Sequence, residues 1–559
     1  LVLFAAGLCS GAAADTIVVP PGMYHADHQL HLLVVNLSAE EVNAQWPQLK
    51  TAVHAGEVYT LQPGVALVST GMALVAHNSA DVPYLLHFSG LPLITLQTQQ
   101  TIVDEPRVPG ELVISDGNGG VLSAQMGIEV RGGFSLSFPK QSYRIEFWTD
   151  TAGTATVDLS LLGLRSDDDW NLLALYNEPL RARSMVCNKL WRMLHTPWYL
   201  PYEAEAVTGV SMVHADVFVN GAYKGIYALS ERIDRKQLKL KKYNGNIRGQ
   251  LYKGTSWGAT TFYSVPPYNN AVRTWGGFEY IYPKETTQWE DLYALVDYVV
   301  NAPGSEFLAE YSAWFDTGNI LDYFIFLNLL RAEDNAGKNI YIALFDAGTP
   351  YFYVPHDLDG TFGMRYDGTL YPTTQGLLLN GLYERLMADC RPDGFRERLR
   401  VRWNALRTNL ITHDSITDLF AQEEARLAGH GAYAREALAW SAFNYDPAHA
   451  EYLSGWLDAR LSYLDSVFNL TCSPTGVESH ALSGIALYPN PATGQVQVKL
   501  QTGDAQGRLC LVDATGRVVL QQFLHQESST VDLRGLRPGL YVVQLHRSGR
   551  ITTSRLVII

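Results

Sequence analysis

Hydrophobic and polar positions change rhythm several times along this chain. From Thr16 to about Ser89, short apolar runs such as HLLVVNL and ALVST are broken by Pro, Gly and Asn, which predicts a small β-rich module over residues 15–90. From Leu91 the runs LITLQT, GELVISD and SYRIEF predict further strands. The period then lengthens. Leu292, Leu295, Val296 and Val299 recur at helical spacing behind Trp289. The run DYFIFLNLL, Asp322 to Leu330, is apolar on nearly every side, as in a helix buried in a core. Helical spacing returns from Asp393 to Phe468, with Leu399, Trp403, Leu406 and Leu410 on one stripe.

Around CSPTGVESHALSG the periodicity lapses into Ser, Gly and Pro, which predicts a linker over residues 471–481. After it, ALYPN, QVQVKL, RLCLVDA, RVVLQQF, GLYVVQLH and SRLVII form short, evenly spaced runs with turn signals between them. Residues 482–559 therefore read as an all-β, immunoglobulin-like sandwich. At the other end, LVLFAAGLCSGAAA ends in small residues before Asp15, so residues 1–14 read as the remnant of a signal peptide and the protein as exported. No later apolar run is long enough for a transmembrane segment.

Composition narrows the class. The length of 559 residues implies several domains, and 47% hydrophobic against 18% charged residues implies packed cores rather than disorder. A net charge of -14 argues against nucleic acid as a partner. Beyond Cys9, the cysteines Cys187, Cys390, Cys472 and Cys510 have no metal-pair spacing. Export permits a Cys390–Cys472 bridge, and buried free thiols are the alternative.

The densest chemistry is Arg331-Ala332-Glu333-Asp334-Asn335-Ala336-Gly337-Lys338-Asn339, between the buried helix and the strand IYIALF. An Asp and an Asn five positions apart match the catalytic-loop spacing of protein kinases, where the Asp takes the acceptor proton and the Asn binds magnesium. A strand, the turn DAGT and the strand YFYV then return Pro355-His356-Asp357-Leu358-Asp359-Gly360 beside that loop. Asp334, Asn339 and Asp357 together could serve phosphoryl transfer, with Asp359 in support. Singly, such residues are more often turns or calcium loops. Asp167-Asp168-Asp169 reads as a solvated loop face, and DGNGG, Asp116 to Gly120, as a hairpin turn.

Two resemblances follow. The tail resembles the type A C-terminal sorting domain of Bacteroidetes proteins exported by the type IX system, through Tyr488-Pro489-Asn490-Pro491-Ala492, Asp513-Ala514-Thr515-Gly516-Arg517 and Leu536-Arg537-Pro538-Gly539-Leu540-Tyr541. That resemblance implies the type IX secretion machinery as a partner, passage through the periplasm, and a secreted or cell-surface location. Residues 91–470 resemble the CotH (spore-coat protein H) family, through Arg131-Gly132-Gly133-Phe134-Ser135 with Lys140, Asp169-Trp170-Asn171 to Tyr176 with Arg183, Val219-Asn220-Gly221 to Glu231, and the Asp334 and Asp357 clusters.

The family resemblance implies an α+β, atypical protein-kinase-like two-lobed domain that uses ATP and Mg2+, or Mn2+ in its place, to phosphorylate Ser or Thr of a protein substrate. It implies Asp334 as the catalytic carboxylate, Asn339, Asp357 and Asp359 at the metal, and Arg131, Ser135, Lys140, Arg183 and Glu231 around ATP. The chain departs from ordinary kinases in having Glu333 rather than Arg before the Asp, and no G-x-G-x-x-G loop near Lys140. The alternative is a catalytically inactive surface binding protein or adhesin on the same fold.

Overall fold

The computed structural model describes residues 15–69, 71–471, 485–500, 507–513, 517–524, 528–547 and 550–558. The expected signal remnant and nearly all of the expected linker lie outside these residues. The chain divides into two compact units, Leu1–Cys472 and Ser473–Ile559.

In the larger unit, the N-terminal strands form a mixed seven-stranded sheet in the order Thr16–Val18, Lys50–Ala55, Glu57–Val65, Ala73–His77, Pro83–Phe88, Leu32–Val35, Tyr24–Asp27. Its core face carries Leu33, Val35, Val53, Tyr59 and Leu86. Val42 joins them from the helix Ala39–Gln45, which starts where Ser38 and Glu41 cap each other reciprocally. Leu32 and Val34 point the other way and pack with Leu93, Phe218 and Tyr223. Both faces of that strand are therefore buried, and the module shares a core with the layer that follows.

That layer is a closed barrel of seven strands in the order Val121–Arg131, Ser142–Trp148, Asp169–Leu173, Ala222–Ser230, Met212–Val219, Leu93–Gln97, Val108–Ser115. Alternation along the strands sorts their side chains. Ile128, Ile145, Phe147, Trp170 and Leu172 fill the interior. Glu129, Arg144, Glu146 and Asp169 form an ion-paired stripe with Arg107. DGNGG is a turn in the hairpin of Val108–Ser115 with Val121–Arg131, and Asp116 accepts from the backbone of Asn118 and Gly120.

The rest of the unit is built on a five-stranded sheet, Thr274–Trp275, Phe278–Tyr282, Gln250–Gly254, Ile340–Leu344, Tyr351–Pro355, covered by helices. The DYFIFLNLL run lies in the helix Thr317–Leu330, in which every residue from Asn319 to Leu330 is buried. Its buried amides are answered. Asn319 exchanges hydrogen bonds with both backbone groups of Tyr353, and Asn328 accepts from the Leu378 amide. Trp289 is buried just before the helix Glu290–Asn301, and Leu399, Trp403 and Leu406 are buried along Phe395–Arg407. Leu410 lies past that helix's end but still packs on the same core.

Among its described residues the smaller unit is all β. Seven strands there follow one hydrogen-bonded order, with Ile485–Thr493 pairing Gln495–Leu500 on one side and meeting Ile558 at Ala492 on the other. Ser528–Asp532 is a strand that the hydrophobic runs do not announce. Asn490 of the YPNP motif donates to the Arg555 carbonyl and accepts from the Val557 amide, stapling the first strand to the last.

Candidate functional site

Helix termination positions the first part of the site. The helix Thr317–Leu330 ends at Arg331 in the left-handed conformation, φ 50°, which throws the chain into a 3-10 turn over Asp334–Ala336. Asp334 is half-buried there, and its Oδ2 lies 3.0 Å from Lys338 Nζ. The hairpin of Ile340–Leu344 with Tyr351–Pro355 pairs Ile340 with Pro355, so the next residues outward, Asn339 and His356, also face each other. The His356 amide donates to the Asn339 carbonyl at 3.1 Å. Asn335, which the sequence reading did not single out, donates its side-chain amide to the carbonyls of both Asn339 and His356, at 2.7 and 2.8 Å. It fixes the Asp334–Asn339 segment to the Asp357 segment.

Asn339 and Asp357 both adopt left-handed backbone angles, φ 52° and 55°. Asn and Asp tolerate this region better than other residues do. Among the described residues, neither the Asn339 side-chain amide nor the Asp357 carboxylate has a hydrogen-bond partner within the protein. Asp359 is half-buried and accepts from Asn177 at 2.7 Å. Burial and the charge of Asp357 push its carboxyl up to about 7. Carboxylates and an amide oxygen are the ligand types that Mg2+ takes, usually one or two carboxylates with water and phosphate completing its shell.

Basic groups surround this donor set. Arg131 ends a barrel strand and lies within reach of Asp357's charge, with Arg144 and Arg232 as cationic neighbours. After it, Gly132 takes φ 142°, and a Cβ there would stand 2.1 Å from Ser135 Oγ. The Arg-Gly-x-x-Ser loop thus needs glycine to fold back on its own serine. Phe134 of this loop sits edge-on to Tyr366 at 5.0 Å. The Tyr366 carbonyl in turn accepts from Asn177, the residue that also holds Asp359.

Three expected ATP contacts are corrected. Lys140 has no exposed side-chain surface, and its ammonium donates to Glu436 Oε1 and to the Ile226 carbonyl, both at 2.6 Å. Burial pushes it down to about 7, although Glu436 opposes the shift. Arg183 is enclosed with Glu178 at 2.7 Å and donates to the Thr361 carbonyl, so it braces the loop after Asp359 rather than reaching into the cleft. Glu231 is buried and accepts from the amides of Arg165 and Ser211 and from Gln237. In each case a fully enclosed charge needs an internal partner, and the fold supplies one.

The partner of Lys140 was not legible in the sequence. Glu436 lies on the helix Ala432–Ala439, 296 residues away, and also receives Arg181 at 3.0 Å and the Ile226 amide at 2.6 Å. Gly225 makes its approach possible, since a Cβ there would stand 1.9 Å from Glu436 Oε2. The neighbouring Arg435 pairs with Asp216 at 2.7 Å, both with no exposed side-chain surface.

The Asp167–Asp169 run is not a solvated face. Asp167 is 1% exposed. With Asp158 and Asp168 it converges on Lys236 Nζ at 2.7 to 2.8 Å, while Asp169 binds Arg144 and Arg232. Asp158, Asp167 and Asp168 are spaced as a metal cluster would be, but an ammonium already sits among them. Of the cysteines, Cys187 and Cys510 are buried free thiols, and Cys390 is disulfide-bonded. Its expected partner Cys472 lies outside the described residues.

Comparison with known proteins bears on both units. A family described as "CotH kinase protein" matches residues 128–464, and one described as "Secretion system C-terminal sorting domain" matches residues 486–559. The second marks the chain for export by the type IX system to the cell surface or beyond it, and no helix among the described residues is long and apolar enough to cross a membrane. No curated protein matches. Among solved structures, the chain is similar to one from work on PorZ, a surface component of the type-IX secretion system of Porphyromonas gingivalis. That likeness has 26% identity and a TM-score of 0.13, and covers 15% of this chain and 13% of that chain.

Proposed function

Because the chain belongs to the CotH kinase protein family, we propose that it is an exported phosphotransferase moving the terminal phosphoryl group of ATP to a Ser or Thr hydroxyl of a protein. The observation that carries this reading is the pairing of Asn339 with the Asp357 segment, both with unpartnered side chains, beneath Arg131.

Asp334 accepts the proton of the acceptor hydroxyl, whose oxygen forms the new bond to phosphorus. The bond from phosphorus to the bridging oxygen of ADP breaks, and its electron pair leaves with ADP. Asn339, Asp357 and Asp359 would hold Mg2+, which supplies charge neutralisation to the phosphates. Lys338 orients Asp334 through their 3.0 Å pair. The barrel, the Arg-Gly-x-x-Ser loop and the helical part then play the roles of two lobes around one cleft.

The test is transfer of labelled γ-phosphate by the full chain with Mg2+ or Mn2+, beside Asp357→Ala, reading self-labelling and a generic acceptor protein. Metal-dependent labelling that falls by ~10³-fold in the variant is the expected result, on the scale of removing a principal electrostatic contact to the transition state. No labelling and no calorimetric nucleotide binding would reject it and favour an inactive surface binding protein.

A further inference from the structure

The strand Gln250–Gly254 is the middle strand of the five-stranded sheet, and Lys253 is its one residue that is not buried. Lys253 pairs in register with Tyr341, so its side chain shares a sheet face with Tyr341. The Asn339 amide donates to the carbonyl of Gly254 at 3.0 Å, which places Lys253 one residue from the backbone that carries a metal-site amide. On that face Tyr341 meets the His356 ring edge-on at 5.4 Å. His356 lies within the field of Lys253 from the sheet and of Arg131 and Arg232 from the barrel side.

The usual role for a lysine mid-sheet is an ion pair with a cross-strand carboxylate, and Glu279 is the register partner of Lys253 on its other side. That pair does not form. Among the described residues, Lys253 makes no hydrogen bond or ion pair, and the guanidinium of Arg131 has no hydrogen bond either. Other strong cations near the cleft are answered by carboxylates: Arg144 and Arg232 by Asp169, Arg183 by Glu178. Two unanswered cations, approaching the Asp357 segment from the sheet and from the barrel, leave positive charge where an anion is missing.

We infer that Lys253, opposite Arg131, is a ligand of the terminal phosphate and makes this cleft select nucleoside triphosphate over diphosphate. The inference rests on the nucleotide reading given above and adds to it a residue and a specificity. A primary ammonium suits this position because it reaches a phosphate as a point charge, whereas Arg131 offers a planar fork.

Calorimetric titration of the full chain in Mg2+ with ADP and with a β,γ-non-hydrolysable ATP analogue tests it, using wild type, Lys253→Met, Lys253→Gln and Lys253→Arg. Wild type should prefer the triphosphate by ~10-fold or more, the size of one charge-assisted phosphate contact. Lys253→Met and Lys253→Gln should lose that preference while holding ADP as wild type does, and Lys253→Arg should recover part of it. Unchanged ADP binding shows that the variant site is folded. Wild type binding both nucleotides, with the preference intact in Lys253→Met or Lys253→Gln, overturns the role of Lys253 alone. Wild type binding neither nucleotide overturns the phosphotransferase reading and this inference with it.

Discussion

Two kinds of charge cluster stand within the larger unit. Around the barrel, the protein answers its own charges: Lys140 and Arg181 by Glu436, Arg435 by Asp216, and Asp158, Asp167 and Asp168 by Lys236. In the cleft, Arg131, Lys253, Asn339 and Asp357 are left open. Residue types alone do not separate the two, since three neighbouring aspartates look more like a metal site than Asp357-Leu358-Asp359 does. What separates them is whether the fold brings a counter-charge within hydrogen-bond distance. Answered clusters hold the structure, and open ones are the candidates for binding a ligand.

The contrast sets opposite expectations for substitutions. Glu436→Ala should give the largest stability loss, about 3–5 kcal/mol, because it strands Lys140 and Arg181 as buried unpaired cations. Denaturant unfolding measures it, and a loss under about 1 kcal/mol would break the comparison. Asp357→Asn, in the open cluster, keeps a residue type that tolerates φ 55° and should leave the unfolding free energy within about 0.5 kcal/mol of wild type while sharply reducing metal-dependent labelling.

Lys236→Met should have a middling effect, about 1–2 kcal/mol, since Lys236 is 37% exposed and water can replace part of what it supplies to the aspartates. The same denaturant curves would show it, and no change would place this cluster among the solvated ones.

The last effect is a pH dependence. Burial and the charge of Asp234 push the Asp167 carboxyl up from 3.8 to about 6. A raised carboxyl contributes stability that is full below about pH 4 and lost as pH rises through about 6. Asp168 is shifted the other way, and its contribution changes below about pH 4, outside that window. Asp167→Asn should flatten the fall in unfolding free energy between about pH 4 and 6, an effect of at most about 3 kcal/mol. Parallel pH curves for variant and wild type would assign the slope elsewhere.

Much of the architecture was legible from periodicity. The DYFIFLNLL run lies in a helix buried on all sides, and the strand–turn–strand after Asn339 returns His356 and Asp357 to it, because a hairpin's register follows from its turn. What was not legible was the long-range pairing of charges. Nothing local marks Glu436, which lies in an ordinary AYAREALA helix, as the partner of Lys140. Without that partner, Lys140 reads as a free cation, as Arg183 does without Glu178. Asp167 misled for the same reason: consecutive carboxylates suggest solvent until Lys236 is seen among them. Asn335 sat inside the recognised motif, but its role depends on two carbonyls that only the hairpin brings together.

The separation of Lys140 from Glu436 also bears on the order in which the chain can fold. Closing a loop of 296 residues costs about 5 kcal/mol by the chain-length term alone, and no contact rewards it until the last helices exist. The barrel strands are complete by Ser230, yet the charge seal between them arrives only with the helix Ala432–Ala439. The buried ion pairs of the barrel therefore wait for residues near the end of the larger unit, and a chain stopped at His430 should be cut by protease within the barrel more readily than the full chain.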